Sequence, residues 1–181
     1  MRPVFLLFAL LVFLHPSPAI VVDCACDPAH PESLEARQCS LCREAEKQPP
    51  EVSVFFLKDA SPRKPNRWLA LPRAHVAGSH PLADMDPKAR TELWTAAIAK
   101  AQELFGDAWG LAYNGEQVRT QCHTHIHIGK LLEGVERDNF IVVSKPSEIP
   151  VTPGEGLWIH PVGKKLHVHT GEQICETVLL R

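Results

Sequence analysis

The chain has 181 residues, enough for one ordinary domain and too few for two comfortable ones. Apolar residues make up 45%, a normal globular share, and the net charge is −2 with ten histidines left uncounted. No basic excess recommends long nucleic acid as a partner, and no internal repeat is visible.

The first element is a targeting segment. Met-Arg-Pro precedes eleven apolar residues, Val4 to Leu14, and small residues follow up to Ala19. This is the layout of a secretory signal peptide over residues 1–19, which predicts export to a periplasmic or secreted location. The alternative is a membrane anchor over residues 4–14. As a helix that run spans only about 16 Å, against about 30 Å of hydrocarbon. Export would place Cys24, Cys26, Cys39, Cys42, Cys122 and Cys175 in an oxidising compartment. Six cysteines allow fifteen complete pairings, and Cys24 and Cys26 could pair with Cys122 or Cys175.

Residues 20–38 read as a loose lead-in, and Cys39-Ser-Leu-Cys42 opens the folded part. Glu51 to Leu57 and Arg67 to Leu71 are strand candidates around a proline-rich turn. A helix is predicted from Asp86 as N-cap and Pro87 at the first helical position to Gly106. Leu93, Ala97, Ala101 and Leu104 share its apolar face. Trp109 to Tyr113 is a third strand, Asn114-Gly115 is turn chemistry, and Arg119 to Ile128 is a fourth strand. Further candidates are Phe140–Val143, Leu157–His160, Leu166–His169 and Ile174–Leu180. Strands with hairpins and one long helix predict an α+β fold.

The fourth strand carries the most informative pattern, His123-Thr-His125-Ile-His127. Side chains two apart on a strand share a face, so all three imidazoles are expected on one surface. Cys122, Thr124, Ile126 and Ile128 would then face a core. Three imidazoles in a row can bind a metal, pass protons, or present one nucleophile between two helpers. The plain alternative is three structural or solvent-facing histidines.

His123-Thr-His-Ile-His-Ile128 resembles the His-x-His-x-His-x signature of the histidine-triad (HIT) superfamily. Other pieces stand in that family's order. They are Cys39-x-x-Cys42, Phe56-Leu-Lys-Asp59-Ala-Ser-Pro62, Trp68-Leu-Ala-Leu-Pro72-Arg-Ala-His75, a helix, and Asn114-Gly115. The likeness covers Cys39 to Leu131. It implies a HIT-like core at 39–131, followed by a C-terminal β extension at 132–181 packed on that core. Within the superfamily, Leu111-Ala-Tyr-Asn114, Arg119-Thr-Gln121 and the short gap to His125 look like the CDP-diacylglycerol pyrophosphatases. This chain is shorter than those enzymes, and its Cys-x-x-Cys with His75 is more like soluble nucleotide-binding members.

The resemblance implies hydrolysis of a nucleotide phosphoanhydride, with a nucleotide or CDP-linked lipid as substrate. Dinucleoside polyphosphates and nucleoside phosphoramidates are the alternatives, as is a zinc-bearing binding module without turnover. It makes His125 the nucleophile, with His127 and His123 as its neighbours. A neutral imidazole is a good nucleophile near pH 7, and its phosphoramidate is labile. Thr120, Asn114 and Arg119 become candidate phosphate contacts, and Asp59 a ribose contact. Arg67 stands where many members carry another histidine, and could meet phosphate instead. Read plainly, Asn114 and Asp59 are turn residues and Thr120 is a solvent-facing hydroxyl.

The same likeness gathers Cys39, Cys42, His75 and His123 into a structural zinc site, since two thiolates and two imidazoles suit tetrahedral Zn²⁺. A Cys39–Cys42 disulfide, favoured by export, is the competing expectation, and free thiols are the third. His160, His167 and His169 form a second cluster, read as surface positions on a hairpin or as pocket or metal residues. Lys130, Lys164 and Lys165 are expected to be solvated. They could also give peripheral membrane contact through an anionic headgroup. The oligomeric state is left open.

Overall fold

The computed structural model describes residues 24–181; the signal-peptide and anchor readings fall on residues 1–19, outside them. The fold is α+β. A short helix, α1 (Ser40–Glu46), precedes β1 (Val54–Lys58) and β2 (Trp68–Pro72). The long helix α2 (Pro87–Phe105) leads to β3 (Trp109–Tyr113) and β4 (Ile126–Lys130). The chain ends with β5 (Ile141–Val143), β6 (Gly156–Val162) and β7 (Lys165–Glu172). All seven strands join one antiparallel sheet in the order β1-β2-β4-β3-β6-β7-β5. Residues 132–181 therefore extend the same sheet that residues 39–131 begin.

Helix α2 forms where its end signals stand. The Asp86 carboxylate accepts from the Lys88 and Ala89 N–H groups at 2.9 and 3.1 Å, satisfying two of the four orphan donors of the first turn. Gly106 stops the helix at φ +57°, where a Cβ would be strained, and its N–H still reaches the Gln102 carbonyl. Leu93, Trp94, Ala97 and Ala101 face the sheet and meet Ala70, Leu111, Tyr113, Ile126, Ile128, Leu157, Ile159 and Val168. Burying each large side chain of this layer stabilises the fold by about 1.5–3 kcal/mol.

The opposite face of the sheet carries the polar side chains. His127, Ala112, Trp158 and His169 form one row across four strands, because each is the register partner of the next. The C-terminal segment lies on this face. Cys175, Val178 and Leu179 pack against Ala112 and Trp158. The paired glycines Gly110 and Gly129 open a groove for Leu179. A Cβ on Gly110 would stand 2.6 Å from Leu179 Cδ2, and one on Gly129 would stand 3.2 Å from Leu179 Cβ. Arg67 ties the segment down, donating from Nε to the Leu180 carbonyl at 2.9 Å and from Nη2 to the Leu179 carbonyl.

Two expected strands differ. Only Ile126–Lys130 of the Arg119–Ile128 stretch is a strand. Its earlier backbone groups bond elsewhere. The Cys122 carbonyl accepts from His80 N and from Arg119 Nη2, and the Cys122 N–H donates to the Gln38 carbonyl. The expected strand at Ile174–Leu180 is instead a single 3₁₀ turn, Glu176–Val178, with one isolated bridge between Leu131 and Leu179. The lead-in is not loose over its described part. Disulfides Cys24–Cys122 and Cys26–Cys39 fasten it to the core. The first closes a loop of 98 residues, which in the chain-entropy account stabilises the fold by about 4–5 kcal/mol.

Gly156 sits where three segments meet. A Cβ there would stand 2.7 Å from Cys175 Sγ, from the Glu172 carbonyl and from Gly115 N. Two of these atoms are backbone, so the clash cannot be relieved by a rotamer change. Gly156→Ala is expected to lower the unfolding free energy by about 1–3 kcal/mol in denaturant titration.

Candidate functional site

The histidine pattern splits into two sites. His125 and His127 stand together, with ring centroids 4.9 Å apart and planes at 78°. His123 turns away and packs edge-on to His75 at 5.0 Å and to His80 at 5.8 Å. The expectation of three imidazoles on one face fails because strand geometry begins only at Ile126. Thr124 faces inward, its hydroxyl donating to the His80 carbonyl, and Cys122 is consumed in a disulfide.

Hydrogen bonds fix the protons of the pair. His125 Nδ1–H donates to the His123 carbonyl at 2.9 Å. A neutral imidazole has one N–H, so the lone pair of this ring lies on Nε2. Burial holds the His125 pKa down to about 4, although its hydrogen bond to His123 works the other way. The ring is therefore neutral at pH 7. His127 is also held neutral, at about 3, by burial and by the neighbouring His125. Its Nε2 lies 3.5 Å from Asn114 Nδ2, and its Nδ1 lies 3.7 Å from a Glu176 carboxylate oxygen. The two rings are 8% and 6% exposed.

Asn114 links the pair to the C-terminal segment. Its Oδ1 accepts from the Cys175 and Glu176 N–H groups at 2.9 and 3.0 Å. The amide is thereby oriented with its N–H₂ towards His127. Glu176 is the acid that the sequence did not single out. Its carboxylate accepts from Arg67 Nη1 at 2.9 Å and from Lys64. Burial raises its pKa, yet the surrounding positive charge wins and holds it at about 2. The lowering comes first from His127, as an imidazolium in the acid range where the two groups titrate together, and then from Lys64 and Arg67; at neutral pH, with His127 uncharged, the two cations remain. Beside them opens a cleft of about 450 Å³, lined by Lys64, Arg67, Glu176, Leu179 and Arg181 among others. Glu176 stands between this cleft and His127.

The other expected contacts are distributed unevenly. Asp59 lies in a turn, where its carboxylate accepts from the Ser61 N–H at 2.9 Å, and its charge reaches both Arg67 and His125. Thr120 is exposed. Arg119 is not placed for substrate. It is buried and spends its guanidinium on the Tyr113 hydroxyl and on the carbonyls of His80, Gln121 and Cys122. Its role is to brace the segment that delivers His123 and His125.

The second site is a cluster of Cys42, His80 and His123, whose ligand atoms lie within 4.8 Å of one another. His75 completes the group, its ring 5.2 Å from His80 and 5.0 Å from His123. The cluster can bind a metal. His123 Nε2–H donates to the Pro72 carbonyl at 2.7 Å, leaving a buried and unpartnered Nδ1. His80 Nδ1 accepts from the Val76 N–H at 3.3 Å, which puts the proton of the neutral ring on the buried, unpartnered Nε2; to ligate through Nε2 the ring would move that proton to Nδ1 and give up the Val76 bond. Both nitrogens of His75 are buried without a well-formed hydrogen bond, and its Nδ1 lies 3.5 Å from a Glu46 carboxylate oxygen. Buried ring nitrogens without hydrogen bonds are costly unless something occupies them, and the Pro72 carbonyl that fixes the distal N–H of His123 is the usual kind of support for a metal-bound imidazole.

Cys39 does not belong to this cluster, contrary to expectation. Its sulfur is bonded to Cys26, so it offers no thiolate, and the alternative Cys39–Cys42 bond is absent because Cys42 is a free thiol. Cys26 and Cys175, two of the residues for which cross-pairing was open, end respectively with Cys39 and unbonded. His80 takes the place left by Cys39. A His75-x₄-His80 spacing in a Gly-containing loop was the available signal for it.

The chain matches no protein-family model and no curated protein.

Burial, with a smaller push from Glu46, raises the Cys42 thiol to about 11, so deprotonation there needs a cation. Purified protein is expected to hold one metal equivalent that His80→Ala releases, by elemental analysis. Cys39→Ser should retain it, which is the reverse of what a Cys39-ligated site would give.

Proposed function

We propose that the protein is an exported nucleotide phosphoanhydride hydrolase of histidine-triad type, with His125 as nucleophile. The observation that carries this reading is the His125 tautomer. Its proton is held by the His123 carbonyl, which leaves Nε2 with a lone pair in a ring that burial keeps neutral. A CDP-linked lipid or another nucleotide pyrophosphate is the substrate class, resting on the sequence likeness to CDP-diacylglycerol pyrophosphatases. Two disulfides support an oxidising compartment.

In the reaction, His125 Nε2 attacks the nucleotide phosphorus and forms a P–N bond. The bond from phosphorus to the bridging oxygen breaks, and the second phosphate leaves with that electron pair. Being a phosphate, it needs no proton to depart. Water then cleaves the phosphoramidate and regenerates the imidazole. Asn114 holds His127, and the His127 N–H is the donor for a phosphate oxygen. Cys42, His80 and His123, with His75 beside them, would hold a zinc ion of structural kind, which would fix the ring of His123, whose carbonyl sets the proton of His125.

Glu176 marks the anion position. Its carboxylate lies between Lys64, Arg67 and His127, the arrangement that a substrate phosphate requires. Binding then exchanges one anion for another: phosphate takes up the cations, and the C-terminal segment lifts from His127. The cover over the rings also favours a second reading, a nucleotide-binding module of the same fold without turnover.

Purified protein assayed on CDP-diacylglycerol, a dinucleoside polyphosphate and a nucleoside phosphoramidate separates the substrates. His125→Ala and His125→Gly are expected to lose about 10⁴-fold or more in kcat. Unchanged phosphate release in both variants contradicts nucleophilic His125, and binding without turnover by the unmodified chain establishes the second reading.

A further inference from the structure

The histidines of the C-terminal strands play no part in the reaction above. His160 on β6 and His167 on β7 are direct register partners in an antiparallel pair. Side chains of such partners leave the sheet on the same side, with Cβ atoms about 4.5–5.5 Å apart. Their ring centroids are 5.4 Å apart. Glu136, from the segment between β4 and β5, brings one carboxylate oxygen to 2.5 Å from His167 Nδ1 and 3.4 Å from His160 Nε2.

We propose that Glu136, His160 and His167 form a second divalent-metal site, of the two-histidine, one-carboxylate kind, separate from the Cys42 cluster. The three ligand atoms lie within 4.8 Å of one another. Ligands held at about 2.0–2.1 Å in a tetrahedral arrangement stand roughly 3.4 Å apart. The His160–Glu136 separation already has that value. The His167 contact is a hydrogen bond, and the ion would replace its proton.

His160 is 4% exposed, and the polar group that its buried Nε2 faces is the Glu136 carboxylate oxygen at 3.4 Å, with no well-formed hydrogen bond between them. The surroundings hold the rings rather than satisfy them. His167 stacks on Phe140 at 4.0 Å, and His160 stacks near Trp158 at 5.5 Å. A third ring, His169, lies flat on Trp158 at 3.6 Å with both nitrogens unpartnered. Glu136 is 44% exposed, so the site opens to water on one side. Two imidazoles and a carboxylate with an open position suit a divalent first-row transition ion such as Zn²⁺.

The site shares a face with the triad. Trp158 is in the row of His127, and His160 is two residues further along the same strand. Two or three strand spacings separate them, about 10–14 Å. The segment carrying Cys175 and Leu179 packs on Trp158 and Ala112 in the intervening stretch.

Co²⁺ titration of metal-stripped protein, followed by absorption, distinguishes the two clusters. Co²⁺ at Cys42 brings a thiolate-to-metal charge-transfer band, whereas a site of imidazole and carboxylate gives only weak d–d bands. The proposal expects one equivalent without thiolate absorption, bound at least tenfold more weakly in both Glu136→Ala and His167→Phe. Glu136 lies on an exposed segment and His167→Phe keeps a ring against Phe140, so both variants are expected to fold. The proposal is overturned if every bound Co²⁺ carries thiolate absorption. It is equally overturned if the thiolate-free equivalent is unchanged in both variants.

Discussion

One hydrogen bond, from His125 Nδ1–H to the carbonyl of His123, decides which chemistry the paired imidazoles can perform. The bond exists because the chain between Arg119 and His125 is not a strand. Its carbonyls are gathered by Arg119, by His80 N–H and by the His125 ring instead of by a neighbouring strand. The same irregular segment turns the ring of His123 into the cluster with Cys42 and His80. A metal there would hold the carbonyl that sets the His125 proton. In this arrangement the Cys42–His80–His123 cluster and the His125 ring are two ends of one short backbone device.

The face above the triad is governed by a competing constraint. Gly110 and Gly129 leave a groove that Leu179 fills, and Arg67 and Asn114 hold the segment from both sides. The apolar part of this cover is inexpensive to keep in place, since it buries Leu179 and Val178 against Ala112 and Trp158. The polar part is different. Glu176 is a half-buried carboxylate between two cations and a neutral imidazole, and a charge of that kind is stable only while its partners remain. A phosphate offers the same cations a richer set of acceptors. The cover is thus strongest in the absence of an anion.

Much of the scaffold was legible in the residues. Asp86, Pro87 and Gly106 mark helix α2 from both ends, and Trp109–Tyr113, a short apolar run ahead of the Asn114-Gly115 turn, is a strand buried along its whole length. The strand over Arg119–Ile128 was over-read. Its alternating pattern is genuine, but the ladder bonds are diverted by the Cys24–Cys122 disulfide and by the side chain of Arg119, at the start of the same stretch. The structure brings His125, His127 and Asn114 together, and gathers Cys42 and His123 with His75 beside them into a second group. Cys39 is not among them, because its neighbour Cys26 is only 13 residues away and bonds to it first in space, a pairing that spacing cannot rank. Glu176 was invisible for a simpler reason. An acid near a chain end has no local pattern, and its meaning appears only when the tail folds across β4 and β3.

Side-chain ¹⁵N NMR of the histidines at neutral pH tests the central claim directly. The His125 ring is expected as a neutral imidazole with its proton on Nδ1 and a lone pair on Nε2. A His125 ring protonated on Nε2, or carrying protons on both nitrogens, would contradict the account, because no nucleophilic atom would then face the phosphate.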